Sequence, residues 1–541
     1  MLDSFRRLLP LVAAIAAAAW VPSAAAQSSP PAPGKAASSA SSMPASSAAP
    51  AASAASAASS DTNEATAPEP TTIPAFKASA PLNLELFNAQ WFDGTSFKRG
   101  SLFVENGYFV SQRPKHLNRR MDLKGEFLIA PLGEAHNNNL QSEWGVGNFA
   151  QRYMQDGVFY AAMLCGDPAN VNPVRGKLNQ PDTPDTLFVT ACITASDGYP
   201  LAMLLASPVA AGQPAPKVAD FADKQLLLMD SPTEVDLKWP LVAARRTDLV
   251  KLVFSYHDRP EYHGRPAQMG RLGVTPATAA AIVRHAHHDG LKVVAHVETA
   301  TDFEAAIRAG VDQIGHLPGY FDHNDDGPER FQIAPAVAAM AAKQKVEVVT
   351  GTAASNLFAM DAAQREQIRQ TQAGNLRLLK SAGVPLLLGS DVFTGTSLTE
   401  LQNLAGLNVW SNAELLRMAS VDTPKALFPK RRIGCFEAGC EASFLVLAGN
   451  PLQDLAMLDH PLLRVKQGRL LSQMEDVARA SSLTQAAVAK PGRAGRAAKG
   501  MAARHAAHAR SAATAATGKS KPKSKTKAAA KSSRPAPARS Q

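Results

Sequence analysis

Apolar and polar positions follow two rhythms between Leu82 and about Ser472. From Leu82 to Met121 short alternating runs are separated by Asp93-Gly94 and Asn106-Gly107. Both dipeptides favour two-residue hairpin turns, whose φ > 0 conformers match the twist of paired strands, so this part is expected to be a small antiparallel sheet. The rhythm then changes. Short buried runs at Phe127–Ala130, Val158–Leu164, Leu187–Ile193, Leu249–Phe254, Lys292–Ala295, Val311–Ile314, Val346–Val349 and Pro385–Leu388 follow one another, with helical stretches such as Thr275–Asp289, Asp302–Gly310, Ala334–Lys343 and Asp361–Ala382 between several of them. Eight buried strands with intervening helices predict an α/β chain whose parallel sheet closes into a (β/α)8 barrel. An open doubly wound sheet has less support, since no G-x-G-x-x-G follows the first strand. Short strands return from Arg432 to Leu471, with turns at Gly439 and Gly449-Asn450-Pro451. The simplest arrangement is a barrel over 126–429, flanked by a small β-sandwich that both ends of the domain build, 82–125 with 430–472.

The flanks read differently. Met1 to Ala26 places Arg6 and Arg7 before an apolar run from Leu8 to Trp20, and Ala24-Ala25-Ala26 before Gln27. That is the order of a cleavable secretory signal, and the run is short of the ~20 residues that span a bilayer. From Gln27 to about Thr72 the chain is Ala, Ser and Pro with few large apolar residues, a flexible spacer without the means to bury a core. The last stretch, 485–541, reads as a disordered tail; from Lys490 to Gln541 it carries 14 Lys and Arg and no acid. Without it the formal charge of +10 becomes −4 (10 less 14). The basic pI therefore belongs to the tail, and the mildly acidic remainder is not an electrostatic reader of nucleic acid. In an exported protein, periplasmic or secreted, the tail would meet an anionic envelope component such as lipid or cell-wall polymer, or serve only solubility. An oxidising compartment permits disulfides. Cys435 and Cys440 flank a turn and can face each other, and Cys165 and Cys192 can pair if their strands are neighbours. None has the C-x-x-C spacing of a structural zinc site.

The informative fact is where polar residues interrupt the apolar runs. His136 follows the first run, Lys251 lies within the fourth, His296 and His316 end the fifth and sixth, and Asp391 ends the eighth. Side chains at the C-terminal ends of barrel strands converge on one mouth, and imidazoles with carboxylates there are what a zinc-like ion needs. Singly, each has a plain structural explanation; five on five strands do not share one. Tyr256 and His257, after the fourth strand, are candidates for substrate contact, as an ordinary loop would also be. His285, His287 and His288 read as residues of an outer helix face, and Asp322-His-Asn-Asp-Asp as a solvated loop that lacks the spacing of a calcium site.

In this order of His, strand-four Lys, His, His and Asp the chain resembles the amidohydrolase superfamily, particularly its imidazolonepropionase-like and prolidase-like members. Ala130–His136 is similar to the family's Pro-Gly-Leu-Ile-Asp-Ala-His segment, and Ala309–His316 to its sixth strand. Ile433–Leu447 with Gly449-Asn-Pro resembles its C-terminal hairpin, with Ser443 where Asp is usual. The resemblance implies a barrel hydrolase that cleaves C–N bonds of an amide, cyclic amide or peptide-like small molecule. It implies one or two divalent transition metals, zinc by preference, with Lys251 as a position that CO₂ carboxylates. His296 and His316 would hold the second ion; His136 and Asp391 would hold the first, with Asp391 also the general base. One departure matters. The family's His-x-His is His136-Asn137-Asn138 here, and an amide oxygen is a poorer zinc ligand than imidazole. The expectation is therefore one ion at Lys251, His296 and His316, with Asn138 a weak contributor. The alternative is a catalytically impaired barrel that binds a ligand and is tethered to the envelope by its tail. Monomer and homo-oligomer stay open.

Overall fold

The computed structural model describes residues 73–207, 214–320, 326–358 and 360–473. The expected signal segment, the spacer and the basic tail lie outside these residues, as does most of the Asp322 loop. No helix among the described residues is long and apolar enough to cross a membrane.

The apolar runs become the barrel. Its strands are Leu132–Asn137, Val158–Met163, Asp185–Phe188 continuing as Ala191–Thr194, Val250–Val253, Val293–His296, Gln313–Ile314, Glu347–Val349 and Leu386–Leu387. All neighbours are parallel. Hydrogen bonds from Ala135 N to Leu388 O (2.9 Å) and from Asp391 N to His136 O (2.8 Å) join strand eight to strand one and close the ring. A short extra strand, Leu226–Leu228, runs beside Ala191–Thr194. Helices Pro276–His288, Ala300–Ala309, Pro335–Gln344 and Ala362–Ala382 match the expected stretches closely. Their starts follow from capping: Thr275, Thr299 and Asp361 each accept from the backbone N–H three residues on.

One strand differs from expectation. Phe127–Ile129 is not the first barrel strand; it pairs with Phe444–Leu447 and with Leu84–Phe92 in the flanking sheet. The barrel begins with the next segment, Leu132–Asn137, so His136 lies within strand one instead of after it. The physical reason is that strand one is buried yet rich in polar groups (Glu134, His136 and Asn137), so hydrophobicity does not mark it.

The flanking sheet draws nine strands from both ends of the domain. Asn106 and Gly107 both have positive φ (51° and 85°), as the hairpin reading requires. The sheet folds over a core that includes Leu86, Val104, Phe109, Leu128, Phe444 and Val465. Both disulfides form, Cys165–Cys192 between barrel strands two and three and Cys435–Cys440 across the turn. Asp185 on barrel strand three joins the two layers: it receives Lys466 Nζ (2.7 Å) and Arg431 Nη1 (2.7 Å) from the C-terminal segment.

Candidate metal centre

Close packing of backbone at the barrel mouth brings the polar strand ends together. A Cβ at Gly389 would lie 2.7 Å from His136 N, and one at Gly351 would lie 2.7 Å from the His316 Cβ. Only glycine lets strands seven and eight approach the two histidines this closely. His136, Lys251, His296 and His316 are all buried, and the Asp391 side chain is about a quarter exposed.

The five groups fall into two sets, His136 with Lys251 and Asp391, and His296 with His316. In the first, His136 Nε2 lies 3.4 Å from Asp391 Oδ1 and accepts from Lys251 Nζ at 3.2 Å. Asn138 Nδ2 donates to the same Asp391 oxygen at 3.1 Å, so this amide offers a proton to the carboxylate. In the second set His316 Nε2 lies 2.7 Å from His296 Nδ1.

The outer ring nitrogens settle what the inner ones can be. His136 Nδ1 meets Gly315 O at 2.7 Å and His316 Nδ1 meets Leu317 O at 2.9 Å. A carbonyl only accepts, so each of these nitrogens carries the ring proton and each inward Nε2 presents a lone pair. His296 Nε2 is held by Glu298 Oε1 at 3.0 Å, which leaves its Nδ1 for the inner position. Outer anchoring of this kind is what orients metal-binding histidines. Burial reinforces it, pushing His136 well below its ordinary value and His316 down to about 3. With both outer nitrogens as donors, only a proton or a metal cation relieves the contact between His296 Nδ1 and His316 Nε2. Two imidazole nitrogens that face each other are donors of the kind a zinc-type ion takes.

Burial also acts on the other two members of the first set. It raises the Asp391 carboxyl to about 6 and lowers the Lys251 ammonium to about 8, with each charge partly offsetting the cost to the other. The lysine's folded value thus lies below its ordinary value of 10.5. Its cost to the folded state is full below pH 8 and fades as pH rises towards 10.5. Metal-free protein should therefore gain stability over that window relative to a Lys251→Met variant, read as urea unfolding at each pH. A difference that does not change with pH would contradict the burial of a chargeable lysine.

Tyr256 and His257 stand apart from the two sets. Their backbone N–H groups donate to Asp302 Oδ2 and Oδ1 (2.9 and 3.0 Å), and His257 Nδ1 lies 2.7 Å from Oδ1. Burial would raise the Asp302 carboxyl, but the hydrogen bonds of His257 hold it below its usual range. Asp302 also belongs to the capping box of Ala300–Ala309, so it ties the turn after strand four to the helix after strand five. His285, His287 and His288 pair with Asp236, Asp312 and Asp289 on an outer helix.

Residues not singled out from the sequence complete the site. Glu298 holds His296 and accepts from Tyr320 Oη at 3.4 Å. Tyr199 stacks on His296 with ring centres 4.5 Å apart, and Tyr320 meets His316 edge-on at 4.8 Å. Glu134 lies beneath His136 on the same face of strand one. Glu134 and Glu298 each stand two residues from a histidine, a strand period that flags them; the tyrosines come from loops and have no such signal.

Residues 264–485 match the model of the amidohydrolase family. His296, His316 and Asp391 fall within that segment, and His136 and Lys251 precede it. The matched segment is less than half of the chain, and over it the sequence is similar to the amidohydrolase family. No curated protein matches the chain. Among solved structures of similar fold, A. niger ochratoxinase is 17% identical over 72% of this chain and 96% of its own, with a TM-score of 0.56. Molinate hydrolase is 16% identical over 76% and 98%, with a TM-score of 0.57. A Xaa-Pro dipeptidase with methionine bound in its active site is 16% identical over 72% and 99%, with a TM-score of 0.55. At these identities the amidohydrolase likeness to solved structures is one of fold, a barrel with its flanking β-sandwich.

Proposed function

We propose that the chain is an exported metal-dependent hydrolase that cleaves a C–N bond in an amide, cyclic amide or peptide-like small molecule. The observation that carries this reading is the 2.7 Å contact between His296 Nδ1 and His316 Nε2, in a pair whose other nitrogens are anchored outward. In the first set the lone pair of His136 already receives Lys251, and Asp391 already receives Asn138. One ion would be held by His296 and His316, with a carboxylated Lys251 as a further ligand. When bound, a zinc-like ion would polarise the scissile carbonyl and acidify a water molecule.

The chain's own residues would do the rest. A neutral lysine amine is the form that CO₂ carboxylates, and burial brings Lys251 down to about 8, where a free amine is available near neutral pH. Asp391 takes the proton of the attacking water and passes it to the leaving nitrogen. The Asn138 amide holds one carboxylate oxygen in place for that transfer. Tyr199 covers one face of His296 and keeps water from it. Export rests on the charge, apolar run and small-residue site of Met1–Ala26.

The test is metal content together with hydrolysis of a panel of N-acyl amino acids, dipeptides and cyclic amides. The expected result is one zinc per chain with turnover of at least one substrate class, and a second zinc on Asn138→His. Protein that holds no transition metal, and gains neither metal nor activity from Asn138→His, would overturn the hydrolase reading in favour of a tethered binding barrel.

A further inference from the structure

Where strand eight meets strand one, a carboxylate is buried that the chemistry above does not use. Glu134 is fully buried in the barrel interior, two residues before His136. Its Oε1 accepts from His136 N (3.1 Å) and from Ser390 N (2.8 Å), and its Oε2 accepts from Ser390 Oγ (2.7 Å). One side chain thus grips the backbone of His136 and that of the residue just before Asp391. Ser390 Oγ in turn accepts from Asn137 Nδ2 (3.1 Å) and from Val392 N (3.3 Å). Bonds from Glu134 and from Ser390 Oγ therefore reach the residues on both sides of Asp391.

Asp391 needs that grip. Its φ is 50°, in the left-handed region that a residue with a Cβ adopts only at a cost. Such conformations persist where the surroundings over-determine them, and they collect at functional sites. Asp391 N donates to His136 O at 2.8 Å, which completes a closed loop of bonds through strand one, Glu134, Ser390 and Asp391. An apolar residue in place of Glu134 would fill this space but leave two backbone N–H groups and a hydroxyl without an acceptor.

We infer that Glu134, acting through Ser390, is a positioning residue that fixes His136 and Asp391 relative to each other across the seam of the barrel. It rests on the reading of Asp391 as the general base of the proposed reaction. Glu134 itself touches neither the ion nor the substrate. Its effect passes through the backbone of the two residues it holds.

The pH profile of kcat for the zinc-loaded full-length protein tests this, alongside zinc affinity by competition with a chromophoric chelator and the melting temperature of the metal-free form. Glu134→Ala and Ser390→Ala are expected to lower kcat at least about tenfold and to shift its acidic limb, as loss of an orienting partner does, while zinc affinity stays near that of wild type. Glu134→Gln keeps the Oε1 acceptor and is expected to recover most of that loss. Ser390→Ala removes a single hydroxyl and should melt within a few degrees of wild type, which separates positioning from loss of fold. Wild-type kcat and pH profile in both alanine variants would overturn the inference, and so would a Glu134→Gln variant as slow as Glu134→Ala. Absence of zinc binding in the wild type would instead overturn the metal reading itself.

Discussion

Replacing His316 with alanine is expected to abolish tight zinc binding and to lower hydrolysis by more than about 100-fold, beyond what loss of a mere orienting partner costs a metal site. The ring is fully committed: Nδ1 donates to Leu317 O, Gly351 admits it at the mouth, and Nε2 faces His296. Alanine leaves His296 as the only imidazole of its pair. His287→Ala, which removes an exposed partner of Asp312 on an outer helix, should change neither quantity. Dialysis against zinc followed by elemental analysis, and kcat/KM on the best substrate, would read both. A His316→Ala protein that keeps its zinc would place the ion elsewhere.

The second large effect concerns the joint between the barrel and its flanking sheet. Asp185 is buried, and its carboxylate meets two cations, Lys466 and Arg431. Lys466 is almost wholly buried, its other hydrogen bonds running to the carbonyls of Gln180 and Thr183 (2.8 and 2.6 Å). Arg431 also has Glu441, through Nε (2.8 Å) and Nη2 (2.6 Å). Asp185→Ala would leave the lysine charge buried without a counter-ion, a change that costs about 3–5 kcal/mol. Adding Lys466→Met should recover a large share, because the uncompensated charge causes most of the loss and not the missing contact. Urea unfolding of the two variants would check this. A loss under 1 kcal/mol in the single variant, or no recovery in the double, would contradict it.

Seven of the eight barrel strands were legible as apolar runs, since strands covered on both faces leave little room for polar residues. Strand one was not. Leu132–Asn137 buries the polar Glu134, His136 and Asn137, and the apolar Phe127–Ile129 just before it belongs to the other sheet. The site residues were legible as polar interruptions at strand ends. Their division into two sets was not, because it depends on which ring nitrogen faces inward. That in turn is set by Gly315 O, Leu317 O and Glu298, none of which has a sequence signature as an acceptor. The role of Asn138 was legible only as a missing histidine. The structure adds that its amide faces Asp391 as a donor.

X-ray absorption at the zinc edge of the metal-loaded protein tests the central reading most directly. Among the described residues, the trio whose ligand atoms lie within 4.8 Å of one another is Cys435, Glu437 and Cys440, and its sulfurs are joined in a disulfide. The barrel site should give nitrogen or oxygen neighbours at about 2.0–2.1 Å, the outer scattering of at least two imidazoles and no sulfur shell. A sulfur neighbour near 2.3 Å, or a spectrum without imidazole scattering, would contradict a metal centre at His296 and His316.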